Sequence, residues 1–116
     1  MWIFGSDYFV SVVADRESKD RVLVRSRLEG DIQRFLGGES MAEVFEDGRA
    51  DYFYRAFVHR DEFEAAMARH AKGIDYDNFK STVSDEQRHR LYMNVWSIME
   101  AAQRRERLGV ANRREG

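Results

Sequence analysis

The sequence predicts an α+β fold: a four- to five-stranded, mainly antiparallel sheet with a long C-terminal helix, in the order ββ-β-α-β-β-α-α around a ferredoxin-like core. Three observations lead there. Apolar residues alternate with period two from Tyr8 to Val13, in a run rich in β-branched and aromatic side chains. Asp47-Gly48, a strong hairpin signal, precedes the longest strand-like run, Ala50 to Val58. Between Leu91 and Ala102 the spacing becomes helical, with Leu91, Tyr92, Val95, Ile98, Met99 and Ala102 on one stripe.

Taken in order, Trp2-Ile3-Phe4 reads as a short strand, and Gly5-Ser6 as a type II′ turn that uses the positive φ open to glycine. The Tyr8–Val13 strand follows, then a charged connection from Asp15 to Arg21 and a strand from Val22 to Arg27. Ile32, Phe35 and Leu36 fall at helical spacing, and Gly37-Gly38 ends that helix. Glu43 to Phe45 and Ala50 to Val58 form the next hairpin. Asp61 with Glu64 resembles a capping box for a helix whose inner face is Phe63, Ala66, Met67 and His70, stopped by Gly73. Asp75 is expected to cap a helical turn carrying Tyr76 and Phe79, and Ser84 with Gln87 forms the box that starts the last helix. The Val22–Lys72 stretch is thus a βαββα unit.

Hydrophobic residues make up 43% and charged residues 34% of the 116, a globular composition long enough to bury a core without staples. One domain is expected over residues 1–102, with 103–116 as an Arg-rich helix extension whose end frays. The absence of cysteine excludes disulfides and thiolate metal sites and fits a reducing cytoplasm. Trp2-Ile3-Phe4 is too short for a secretory h-region, and no run approaches a membrane span, so no membrane partner is expected. The formal charge of −2 argues against general attraction to nucleic acid. It is unevenly spread: residues 103–116 carry +3, leaving −5 for the rest.

The segments Met1-Trp2-Ile3-Phe4, Ala50 to Arg55, Ile74 to Lys80 and Tyr92 to Trp96 resemble a family of short bacterial proteins to which no activity is attached. The resemblance extends to Met99. It implies a bacterial or bacteriophage source and a shared fold, and it transfers no site residues.

The long strand is the most informative stretch. Tyr52, Tyr54, Ala56 and Val58 alternate with Asp51, Phe53, Arg55 and Phe57, so neither side is polar enough for a sheet with one wet face. The neighbouring strand adds Leu23, Arg25 and Arg27 on one side. A surface of Phe53, Phe57, Arg25, Arg27 and Arg55 suits a protein partner, because aromatic and arginine side chains bury area while keeping hydrogen bonds. The competing expectation is that the last helix folds over this side and makes it core. Trp96 widens the apolar face of that helix and is a second candidate contact, for another copy of the chain or a different protein. An inhibitor or adaptor from a phage or mobile element is one form such a module takes. The alternative function is RNA or DNA binding, with Tyr52 and Tyr54 stacking bases and Arg104, Arg105 and Arg107 meeting phosphates.

Other chemistry has little to stand on. His59, His70 and His89 share no ligand spacing, and Glu86-x-x-His89 is a single copy of a motif that di-iron bundles need twice. Asp75, Asp77 and Glu86 fit three calcium-loop positions, but Phe79 and Lys80 break the pattern. Asp61 and Glu62 suit a helix dipole. No phosphate-cradling glycine loop or nucleophile elbow is present, so neither an enzyme nor a cofactor or metal site is expected. His59, just after the long strand, is the position closest to a functional one.

Overall fold

The computed structural model describes residues 1–115. They form two compact units, Met1–Asp77 and the chain from Asn78 onward.

The first unit is a five-stranded antiparallel sheet with two helices packed on one face. Its strands are β1 (Trp2–Phe4), β2 (Phe9–Ala14), β3 (Arg21–Ser26), β4 (Phe45–Glu46) and β5 (Tyr54–His59), in the spatial order β1-β2-β3-β5-β4. Helix α1 (Asp31–Leu36) connects β3 to β4, and α2 (Arg60–Lys72) follows β5. Both β3 and β4 run antiparallel to β5, so they are parallel to each other with β5 between them. This is the split β-α-β connectivity of the ferredoxin-like core, with β2 and the edge strand β1 added on the other side of β3.

The core follows from the pleat. Val10 and Val12 of β2, Val22 and Val24 of β3, and Ala56 and Val58 of β5 all point to one face. There they meet Ile32, Phe35 and Leu36 of α1 and Ala66 of α2. Each of the larger side chains adds about 1.5–3 kcal/mol on burial. Tyr8 joins them, with its ring edge-on to Phe35 at 5.3 Å and beside His70 at 4.9 Å. The two helices are also tied by polar groups. His70 Nε2–H donates to Phe35 O over 2.7 Å, and Arg69 Nη2 donates to Leu36 O over 2.7 Å. The last carbonyls of α1 thereby find donors that the helix itself cannot supply. Buried Asp31 fixes the other end of α1: its carboxylate accepts the Phe9 backbone N–H at 3.0 Å and Arg34 Nη2 at 2.6 Å.

Four local expectations are corrected. Among the described residues only Gly30 and Gly37 have positive φ, so Gly5 does not head a type II′ turn. Its N–H pairs with Tyr8 O at 2.8 Å, and a Cβ there would run into the Tyr8 ring; glycine is needed for close approach. The long strand starts at Tyr54 rather than Ala50. Asp47 O accepts from Ala50 N, Asp47 N donates to Phe53 O, and residues 48–53 form a wider loop that Asp47-Gly48 only opens. Likewise the partner strand is Phe45–Glu46, while Ala42 and Val44 pack against the core. Finally, the helix starts are shifted. His59, not Asp61, caps α2, its Nδ1 accepting from Asp61 N at 3.1 Å.

The second unit holds a 3-10 turn, Phe79–Thr82, and α3, Glu86–Glu115. Asn78 rather than Asp75 caps the turn, accepting from Lys80 N at 3.2 Å. Asp85 rather than Ser84 caps α3, its Oδ2 accepting from Arg88 N at 2.8 Å. The turn leans on one side of the helix: Phe79 stacks on Tyr92 at 6.0 Å, and Lys80 Nζ lies over Trp96 at 4.7 Å. The Arg-rich stretch from Gln103 belongs to the same continuous helix. No helix among the described residues is long and apolar enough to cross a membrane.

Candidate functional site

The sheet face opposite α1 and α2 is where chemistry-bearing side chains gather. Register fixes its contents. One ladder of directly opposed residues crosses all five strands: Trp2, Ser11, Arg25, Arg55 and Phe45. A second row places Val13, Leu23 and Phe57 side by side, and a third pairs Phe4 with Phe9. Among these, Trp2 is 68% exposed, Phe57 40% and Phe45 37%. The aromatic rings are not scattered. Phe45 stacks on Phe57 at 5.8 Å, Phe4 meets Phe9 edge-on at 4.4 Å, and Trp2 lies 5.9 Å from Phe9.

Arginines are interleaved with them. Arg21 lies over the Phe57 ring at 4.6 Å while pairing with Asp15 at 2.8 Å. Arg25 donates through Nη2 to Ser11 Oγ at 2.7 Å and pairs with no carboxylate among the described residues. Its Nε is buried and also finds no acceptor among them. Arg55 donates to Tyr52 O at 3.2 Å and holds exposed Asp51 at 3.4 Å. Directly opposed like charges cost stability on a sheet; Asp51 offsets Arg55 but no carboxylate among the described residues offsets Arg25, so the pair keeps a net positive charge flanked by apolar rings.

The residues expected at this site divide. Arg25, Arg55 and Phe57 do share the face, through the register just described. Arg27 follows the end of β3; its Nη1 donates to Asp51 O at 2.9 Å, and its guanidinium lies over Tyr52 at 4.2 Å. Phe53 precedes β5 and packs edge-on against Tyr54 at 4.9 Å, partly exposed. Strand parity had put Tyr52 opposite the arginines. Because the pleat begins only at Tyr54, Tyr52 instead lies under both Arg25, at 4.5 Å, and Arg27. It is 4% exposed, so its ring is closed to a stacking base. Tyr54 is half-buried against the core cluster. Partial burial, and after it the charges of Glu29 and Glu46, push its hydroxyl above the usual tyrosine range.

Trp96, Arg104, Arg105 and Arg107 all lie on α3, half-exposed or exposed, and belong to the second unit. Glu100 forms an ion pair with Arg104, which lowers the carboxylate's pKa through that hydrogen bond.

Sequence reading missed Trp2, Phe4, Phe9, Phe45 and Arg21. Their alternation was visible, but which strands stand beside β3 was not. His59 is a helix cap and His70 a core contact, and no group of three or more metal-binding side chains comes together among the described residues. Comparison with known proteins finds no matching family model, no matching curated protein and no matching solved structure.

Proposed function

We propose that this chain is a non-enzymatic protein-binding module whose docking surface is the outer face of the sheet, and that its partner presents an apolar side chain flanked by carboxylates. The observation that carries the reading is the ladder Trp2–Ser11–Arg25–Arg55–Phe45 with Phe57 and Leu23 beside it. Aromatic rings supply area for burial, and arginine supplies donors in a fixed fork for a carboxylate. Arg25 has no carboxylate among the described residues, and a partner's acid would offset its repulsion with Arg55. The chain's net charge of −2 makes this a local attraction, specific to one face.

The test is titration of the full chain with unstructured peptides in which a Phe or Leu sits between Asp and Glu, against matched peptides carrying Lys. Binding of the acidic set alone supports the reading. Arg25→Ala and Arg55→Ala should each weaken it about tenfold, the worth of a charged hydrogen bond, while circular dichroism shows each variant still folded. Equal binding of both sets would refute it. The alternative, RNA or DNA binding through this face and Arg104, Arg105 and Arg107, is less favoured because Tyr52, one of its two intended stacking rings, is buried and Tyr54 is half-buried. It would replace the protein-binding reading if single-stranded RNA or duplex DNA bound with a steep salt dependence.

A further inference from the structure

Three arginines meet at one buried residue. The guanidinium carbons of Arg25 and Arg27 lie 4.5 and 4.2 Å from the centre of the Tyr52 ring, and Arg55 Nε donates to Tyr52 O over 3.2 Å. Each guanidinium is held at one end. Arg25 Nη2 donates to Ser11 Oγ at 2.7 Å, Arg27 Nη1 to Asp51 O at 2.9 Å, and Arg55 Nη2 to the Asp51 carboxylate at 3.4 Å. The other ends are uncommitted: Arg25 Nη1, Arg27 Nη2 and Arg55 Nη1 have no acceptor among the described residues. The Arg25 and Arg55 nitrogens reach solvent, since Arg25 Nε is the buried one without a partner, and Arg27 is exposed as a whole. Asp51 is the one carboxylate among the described residues that pairs with any of the three, so two positive charges remain. Glu46 stands opposite Tyr54 in the register, on the core side of the sheet, and pairs with none of them.

We propose that Arg25, Arg27 and Arg55 form a subsite for a phosphorylated side chain of the partner protein, an inference that rests on the outer sheet face being the docking surface. Charge and donor count select this ligand. A carboxylate brings one charge and two oxygens, which suffice for Arg25 and Arg55 and leave Arg27 unused. A phosphorylated serine brings roughly two negative charges at neutral pH and three strong acceptor oxygens. It matches both the charge left on the cluster and its three uncommitted nitrogens, one oxygen to each. Guanidinium forks suit phosphoryl oxygens, and groups already held at one end lose less freedom on binding. Phe57, two residues along β5 from Arg55 on the same face and 40% exposed, receives the apolar residue that accompanies the phosphate.

Calorimetric titration of the full chain tests this with two acidic peptides that differ at one residue beside their Phe, glutamate in one and phosphoserine in the other. The phosphoserine peptide should bind at least about tenfold more tightly, the worth of one more charged hydrogen bond. Arg27→Ala should remove that preference and leave the glutamate peptide nearly unchanged, with circular dichroism showing the variant folded. Arg27→Lys, which keeps the charge and loses the fork, should fall between. Inorganic phosphate alone should bind far more weakly than the phosphopeptide. If both peptides bind equally, or Arg27→Ala weakens both alike, the phosphate subsite is refuted while the docking face stands. If the phosphoserine peptide alone binds, the subsite stands and the carboxylate-flanked partner is the part that fails. Binding of neither peptide overturns both. Inorganic phosphate matching the phosphopeptide, or single-stranded RNA displacing it at equal concentration, would give the cluster to a different ligand and overturn the proposal.

Discussion

Gly5→Ala is a sharp probe of how the outer face is held in place. Gly5 lies between β1 and β2, and its φ is not positive, so alanine meets no backbone strain there. On chain entropy alone the change would stabilise the fold by about 0.4–1 kcal/mol. The structure predicts the opposite sign. The new Cβ would meet Cε1, Cζ and Cε2 of Tyr8 well inside van der Waals contact. That ring cannot swing away, since it is buried between Phe35 and His70. Overpacking of this kind costs about 1–3 kcal/mol, which less the entropic gain leaves a net loss of about 1.3 kcal/mol and a melting temperature lower by roughly 5 °C. The cause can be isolated in a double-mutant cycle with Tyr8→Val, which removes the ring. In that background Gly5→Ala should become neutral or slightly stabilising, giving a coupling energy of about 2 kcal/mol. Urea unfolding followed by circular dichroism reads all four proteins. Equal costs in both backgrounds would show that the backbone, not the ring, demands glycine, and the packing argument would fail.

Two further outcomes follow from named contacts. His59→Ala should cost about 1 kcal/mol through the lost cap on α2, and His59→Asn should restore most of it; equal melting of both variants would exclude the capping role. The raised pKa of Tyr54 makes stability fall at alkaline pH. The unfolded chain loses this proton first, near 10.0, so the fold weakens as pH rises from there through the folded value, and Tyr54→Phe should flatten that part of the curve.

Much of the fold was legible because local signals agreed with tertiary needs. Alternation in Trp2–Phe4 and Tyr8–Val13, the Gly37 stop and the Phe63–Ala66–Met67–His70 face each describe an element whose buried side the core then uses. Errors gathered where a shift of one to four residues changes the chemistry. Asp61, Ser84 and Asp75 are all good caps in isolation, but the helices and turn begin where His59, Asp85 and Asn78 can accept a backbone N–H. The loop after Asp47 consumed four residues assigned to the strand, and with them the parity that placed Tyr52. The site was half legible for a different reason. Arg25 and Arg55 are thirty residues apart, and only the antiparallel register of β3 with β5 makes them neighbours. Phe45 and Trp2 join them solely because β4 and β1 took the two edges, a choice no local pattern encodes.

The most direct check on the docking face is a nuclear magnetic resonance titration of isotope-labelled protein with the acidic peptides. Amide shifts should concentrate at Ser11, Leu23, Arg25, Arg55 and Phe57 and vanish in the Arg25→Ala Arg55→Ala variant. Shifts confined to α1 and α2, or a spectrum that no acidic peptide perturbs, would mean that this side of the sheet has another purpose.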